Sequence, residues 1–459
     1  MKKYNVLYVH THDSGRYFSP YGYKLDTPNL EKFSKNAHVF NQAFSVSPTC
    51  SPSRSALLSS QYPHQNGMIG LVNRGFKMQD YQHHLVNTFN QAQYDTVLCG
   101  IQHEAGHYKE ADKAADIIGY CENITTTLNL DDLIDKRPWD IDNVSNAIAW
   151  LKKHNNKSPF FMSMGFFGTH RPYPPMSLEG LKVNHGVPEG MANVMPIRHD
   201  FSQYNTSVEC VDTLFGQILD TLEEEKLLED TIIVFTTDHG IAVPHGKSNL
   251  TDLGLEVALM FYLPWSTQGR SYEGLVSHLD VMPTLCDYLK LKPEHKMEGK
   301  SLVPMLEKRE EHVHDALFFE MNFHTSFEPA RAIRTQRYKY IEYLDDYALY
   351  QLSNINDSPT KDFLVESGLK QKEKPLYQLY DLYHDPHEKN NLVDNLKYNE
   401  ILEELRRQLN QWRKATQDIL YEEGVELKPE WVINKKESTT PNGSSKDDFL
   451  EGHIHKKWM

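Results

Sequence analysis

Short, uninterrupted apolar runs recur along the chain, and the most prominent of them end in polar clusters. Val6-Leu7-Tyr8-Val9, Tyr94 to Cys99, Pro159 to Phe166, Thr231 to Thr236 and Val257 to Tyr262 read as buried strands. Between them the period changes. Asp142 to Asn155 sets Val144, Ala147, Ile148 and Leu151 at helical spacing, and Asp212 to Lys226 does the same with Leu214, Ile218, Leu219 and Leu222. Thr27-Pro28 reads as a capped helix start. Helix then strand, repeated, is the βαβ order of a doubly wound sheet. Later the character shifts. Arg331 to Tyr343 reads as a hairpin strand, a helix from about Tyr398 to Thr416 should pack on a small sheet, and beyond Lys428 the composition turns polar. We expect a large domain over residues 1–313, a smaller one over 314–427, and a tail over 428–459 that drapes over its own chain or a neighbour, which leaves room for an oligomer.

Composition narrows the class. A chain of 459 residues with 39% hydrophobic and 11% aromatic residues has ample material for a folded enzyme, and its length calls for more than one small core. The net charge of −15 argues against nucleic acid, no Lys/Arg tract suggests a membrane surface, and any anion must therefore be bound locally. The opening Met1-Lys2-Lys3-Tyr4 runs straight into a strand, which leaves no room for a signal peptide, and no run of about twenty apolar residues could span a bilayer. The five cysteines are odd in number and widely spaced, against a disulfide framework. The expectation is a soluble, cytoplasmic protein.

Candidate chemistry gathers where strands end. In Ser47-Pro48-Thr49-Cys50-Ser51-Pro52-Ser53-Arg54 a cysteine lies between two prolines, and Ser55-Ala56-Leu57-Leu58 can start the helix that carries it. A helix start offers free N–H groups and a positive dipole end, so an anionic substrate is expected there; equally, the residues alone fit a buried cysteine and a salt-bridging arginine. His10-Thr11-His12-Asp13 follows the first strand, and two imidazoles with a carboxylate suit a metal, as the same turn would suit an ordinary polar loop. His103 follows another strand, and His170, in Thr169-His170-Arg171-Pro172-Tyr173, is placed for proton transfer. Thr237-Asp238-His239-Gly240 ends the most hydrophobic strand, where a carboxylate supplies what a divalent cation needs, and Lys247 follows.

Cys50-Ser51-Pro52-Ser53-Arg54 resembles the Cys-x-Pro-x-Arg signature of the sulfatases, whose cysteine is oxidised to formylglycine (3-oxoalanine) by a maturation enzyme. Other stretches resemble the family in matching order: His12-Asp13, Tyr62-Pro63-His64-Gln65-Asn66-Gly67, His103, His170, Asp238-His239, Lys247, the Asp280 to Leu285 segment, and Leu379-Tyr380-Asp381-Leu382 with Asp385-Pro386 and Glu388. The resemblance implies an alkaline-phosphatase-like α/β fold, a mixed sheet flanked by helices with a smaller C-terminal α+β domain. It implies hydrolysis of a sulfate ester, with a sulfated sugar as the expected small substrate. In the family the aldehyde hydrates to a geminal diol, one hydroxyl attacks sulfur, and the other later expels sulfate. It implies one divalent metal on Asp13, Asp238, His239, His12 and the oxidised Cys50. Arg54 and Lys247 would hold diol and sulfate, His103 would stand near the nucleophile, and His170 would protonate the leaving alcohol.

The chain departs from the family in two places. His12-Asp13 replaces a pair of aspartates, with Ser14 as the alternative partner if the match shifts by one residue, and Ile101 stands where a lysine is usual. The family usually binds calcium; two imidazoles make the site less hard, so manganese and zinc are alternatives. Sulfamate is a second possible substrate. Rival readings are a phosphonate monoester or phosphodiester hydrolase of the same superfamily, and a non-catalytic metal-binding relative whose Cys50 stays a thiol.

Overall fold

In a computed structural model the chain is described over residues 3–106, 110–154, 157–175, 186–421 and 424–455; Asn155, the expected end of one helix, and residues 456–459 of the expected tail lie outside these. Uninterrupted apolar strands need cover on both faces, and they have it. The strands are β1 (Asn5–Thr11), β2 (His38–Phe40), β3 (Ala43–Phe44), β4 (Asp95–Gly100), β5 (Glu122–Asn123), β6 (Phe160–Gly165), β7 (Thr231–Thr237), β8 (Leu259–Tyr262), β9 (Arg270–Tyr272) and β10 (Val276–Ser277). Eight of them form one mixed sheet in the order β5-β4-β6-β1-β7-β8-β2-β9, while β3 and β10 pair separately. β4, β6, β1 and β7 run parallel at its centre, and β8 turns antiparallel against β7. Leu7 and Val9 of β1, with Ile233 and Phe235 of β7, face a core roofed by the helices Pro28–Ser34, Arg137–Lys153 and Met195–Glu224. Val6 and Tyr8, with Ile232 and Val234, face the opposite core under the helices Cys50–Ser59, Leu85–Gln91 and Val281–Leu289. This is the expected helix-flanked mixed sheet.

A second sheet is antiparallel, in the order β11 (Ala316–Phe323), β12 (Phe327–Thr335), β13 (Tyr338–Tyr343), β14 (Tyr377–Asp381). The helix Asn399–Ala415 lays Leu402, Leu405, Leu409 and Trp412 on its Ile333, Tyr340 and Leu379. The polar tail lies over its own chain. Trp431 and Ile433 join Met68, Phe76 and Phe323 in a buried cluster, and Asn434 bridges to Ser326 and Phe449.

Three local expectations are corrected. The helix start at Thr27 makes no side-chain cap; the Asp212 carboxylate accepts from the amides of Asn29 and Leu30 instead, at 3.1 and 2.7 Å. The long helix begins at Met195 rather than near Asp212. The cysteine helix begins at Cys50 itself, ahead of Ser55, with Pro52 in the first turn where its missing N–H costs nothing. Tyr62 to Met68 contains a single helical turn, Pro63–Asn66, closed by Gly67 at φ +86°, where a Cβ would meet Gln79.

Candidate active site

β1 and β7 run side by side in register to their ends, Thr11 opposite Thr237, so the residues that come after them emerge together. Asp13, at φ +51°, donates its backbone N–H to Asp238 Oδ1 at 2.8 Å, which ties the two turns to each other. The Cys50–Ser59 helix points its N-terminus at this junction, and all ten of its residues are buried. Lys247 comes from a loop fastened alongside, with Ser248 N donating to Pro48 O at 2.8 Å. Topology therefore delivers the sequence-predicted residues to one buried place.

Ligand atoms of His12, Asp13, Cys50 and Asp238 lie within 4.8 Å of one another, as do those of His12, Cys50 and His103. His12 Nδ1 is 2.8 Å from Asp13 Oδ1 and 3.2 Å from Asp238 Oδ2, and its Nε2 is 3.1 Å from His103 Nδ1. His12 brings its ring nitrogens into this cluster, whereas Ser14 Oγ donates to the His12 carbonyl. His239 stands just outside that four-membered cluster. Its Nδ1–H donates to Gly240 O at 2.8 Å, which leaves Nε2 facing Asp13 Oδ1 at 3.2 Å and Cys50 Sγ at 3.4 Å.

Two buried carboxylates side by side demand cations. Lys247 Nζ donates to both Asp13 oxygens at 3.0 Å, and Arg54 Nη2 donates to Asp238 Oδ2 at 3.1 Å. Burial alone would push the Asp13 carboxyl up, but Lys247, His12 and His170 outweigh it and hold it well below the usual range. For Asp238 the same contest is won by His12, His239 and Arg54. Burial pushes the Cys50 thiol the other way, up to about 12, against the pull of Lys247. Two ionised carboxylate oxygens with two imidazole nitrogens fit a divalent cation, and the nitrogen content makes the set softer than an all-oxygen calcium cage.

His170 Nε2 lies 4.0 Å from Asp13 Oδ2, while Nδ1 is 2.5 Å from Arg171 O. Nδ1 therefore carries the proton and Nε2 a lone pair; burial lowers the ring to about 3, with Asp13 pulling upward. The next residue fixes the loop, since Arg171 makes a bidentate pair with Asp200 at 2.6 and 2.7 Å. Ile101, in the place of a family lysine, packs with Leu130, Trp139 and Phe167. His10, one of the two imidazoles the sequence offered to a metal, belongs instead to a supporting layer that sequence reasoning missed. His10 Nδ1 meets Arg54 Nη1 at 2.5 Å, Ser53 Oγ donates to the Asp238 carbonyl, and His278 Nε2 meets Thr236 Oγ1 at 3.0 Å. Only the position of His10 on a strand running into the site could have signalled its part.

A family model described as Sulfatase matches residues 4–291, and one described as N-sulphoglucosamine sulphohydrolase, C-terminal, matches residues 245–373. An ulvan-active sulfatase of Formosa agariphila is 26% identical over 98% of this chain and 90% of its own. The N-sulphoglucosamine sulphohydrolase of Homo sapiens is 26% identical over 86% of each chain. Among solved structures, a 2-O GAG sulfatase superposes with a TM-score of 0.70 at 19% identity, over 93% of this chain and 96% of that one. The buried Cys50-to-Arg54 helix mouth and the ordered motifs around it have their explanation here: the chain belongs to the sulfatase family and is a sulfuric ester hydrolase.

Proposed function

We propose that the protein cleaves a sulfate ester of a sugar, using a formylglycine made from Cys50 by a maturation enzyme and one divalent metal. The observation that carries this reading is the convergence of Cys50, at a helix N-terminus, with two ionised carboxylates and two buried cations, Lys247 and Arg54. The sugar half of the reading is supported by the relatives, among them an ulvan-active and an N-sulphoglucosamine enzyme.

Asp13, Asp238, His12 and His239 would hold the metal, with calcium, manganese and zinc as the candidates; when bound, it supplies positive charge to a sulfate oxygen. Formylglycine supplies the oxygen nucleophile. The remaining steps belong to this chain's own residues. Free N–H groups at the start of the Cys50 helix face an incoming anion. Lys247, whose donors reach both Asp13 oxygens, neutralises charge gathering on the sulfate as the S–O bond breaks. Arg54, pinned by Asp238 and by the Thr11 carbonyl at 2.9 Å, holds the nucleophile's end of the site. His103, against His12, stands on the nucleophile's side. His170 turns its Nε2 lone pair to this side of the site; to serve as proton donor to the leaving alcohol it first takes up a proton there, which burial opposes and Asp13 opposite favours.

The test uses protein from its native host. The peptide carrying Cys50 should show the mass of the aldehyde, and treatment with a chelator should abolish sulfate release from a monosaccharide sulfate until metal is returned. Cys50→Ala should release no sulfate. An unmodified thiol in active enzyme, or faster turnover of an aryl phosphonate than of any sulfate ester, would overturn the reading.

A further inference from the structure

The active-site groups come from the large sheet and its loops, yet one imidazole of the other sheet lies within their electrostatic reach. His324 lies in the turn between β11 and β12, just after the register shift between Met321 and Phe323. β11 runs beside the segment that leads to the nucleophile: Glu320 N donates to Val46 O at 2.9 Å, and Phe323 N to Ile69 O at 3.1 Å. The loop after Ile69 is fastened to the residue next to Cys50, through Val72 N and Ser51 Oγ at 3.1 Å. The turn itself is held from three sides. Thr325 N and Ser326 N donate to Asn354 Oδ1 at 2.9 Å, Thr325 Oγ1 donates to Ser353 O at 2.7 Å, and Arg74 Nη1 donates to Thr325 O at 3.4 Å and Asn434 Oδ1 at 2.9 Å.

On this rigid support the His324 side chain is buried, 4% exposed, and its Nδ1 has no hydrogen-bond partner among the described residues. The ring is within electrostatic reach of Lys247, His239 and Asp13. A buried polar atom without a partner is rare in a native structure, and beside an active site it is matched by what the site receives. Burial first, and then Lys247 and Arg74, keep the ring neutral, so it offers a hydrogen bond rather than a charge.

We propose that His324 is a substrate-contacting residue that hydrogen-bonds a hydroxyl of the sugar ring carrying the ester, and so selects sugar sulfates over aryl sulfates. This rests on the sulfate-ester reading and adds to it the side of the pocket that recognises the leaving group. Arg74 is a positioning residue that sets the turn.

The experiment compares wild type, His324→Ala and His324→Asn as full-length, aldehyde-bearing proteins. The substrates are 4-methylumbelliferyl sulfate and whichever of a panel of glucosamine and galactose sulfates the wild type prefers. His324→Ala should lose about 10- to 100-fold in kcat/KM on the sugar, His324→Asn should recover part of it, and both should stay within about threefold on the aryl sulfate, with unchanged pH profiles. Equal losses on both substrates, or a loss on neither, would overturn the assignment. A wild type that turns over aryl sulfate but no sugar sulfate would overturn it as well. A wild type that cleaves no sulfate ester would bring down the function reading itself, and the assignment with it.

Discussion

Lys247 shows how much rests on single side chains. Its ammonium is 3% exposed and is the nearest cation to both oxygens of Asp13. Lys247→Ala should therefore lower kcat/KM for a sulfate ester by about 10²- to 10³-fold, the size of effect seen when one preorganised donor is removed, and steady-state kinetics with a fluorogenic sulfate reads it directly. Residues of this kind were legible because each sits at the end of an apolar run or in a short motif: Cys50 and Arg54 in one, Asp13 and Asp238 after strands. The residues that support them were not. Nothing in the letters around His10 says that its Nδ1 meets Arg54, a residue far along the chain, and His324 carries no motif because its neighbourhood is assembled by the second sheet.

Among elements, strands were the easiest to find, since a sheet covered on both faces demands continuous hydrophobicity. The first half of the Met195–Glu224 helix escaped because Asp200, Ser202, Asn205 and Ser207 put polar letters at buried positions; of these Asp200 takes Arg171 and Thr360. An amphipathic pattern is lost where a helix buries ion pairs. The same kind of bond fastens the second sheet to the end of its covering helix and the turn beyond. Arg331 of β12, fully buried, makes a bidentate pair with Asp418 at 2.6 and 2.9 Å, and Arg413 adds a third donor at 2.9 Å. Burial would raise the Asp418 carboxyl, but Arg331 outweighs it, so the folded value lies below the ordinary 3.8. A depressed acid contributes stability that is complete above its unfolded value and is lost as pH falls below about 4. Arg331→Ala should cost about 3–5 kcal/mol at neutral pH, measured by denaturant unfolding, because it strands a buried carboxylate. Asp418→Asn should also destabilise at neutral pH and should flatten the acid side of the stability curve.

For the whole molecule, the least legible part is the tail. Its polar composition hides two large apolar residues, Trp431 and Ile433, that finish a cluster begun by Met68 and Phe76. The same stretch supplies Arg74 with acceptors at Val432 O, Asn434 Oδ1 and Pro441 O. Truncation after Lys428 should therefore lower the thermal midpoint and also reduce turnover of sugar sulfates, since the turn carrying His324 loses its brace. Differential scanning calorimetry alongside kinetics would show both; an active, equally stable truncated protein would refute the coupling.

The burial of Cys50 also has a meaning in time. At 3% exposure, on a helix with no exposed residue, its sulfur is beyond the reach of any other protein once the sheets have closed over it. On the proposed reading, an enzyme that converts Cys50 has to act while the polypeptide is still open, and the competence of each molecule would be decided by a race between modification and folding. A population of otherwise identical, fully folded chains can then contain members that won the race and members that are permanently inert.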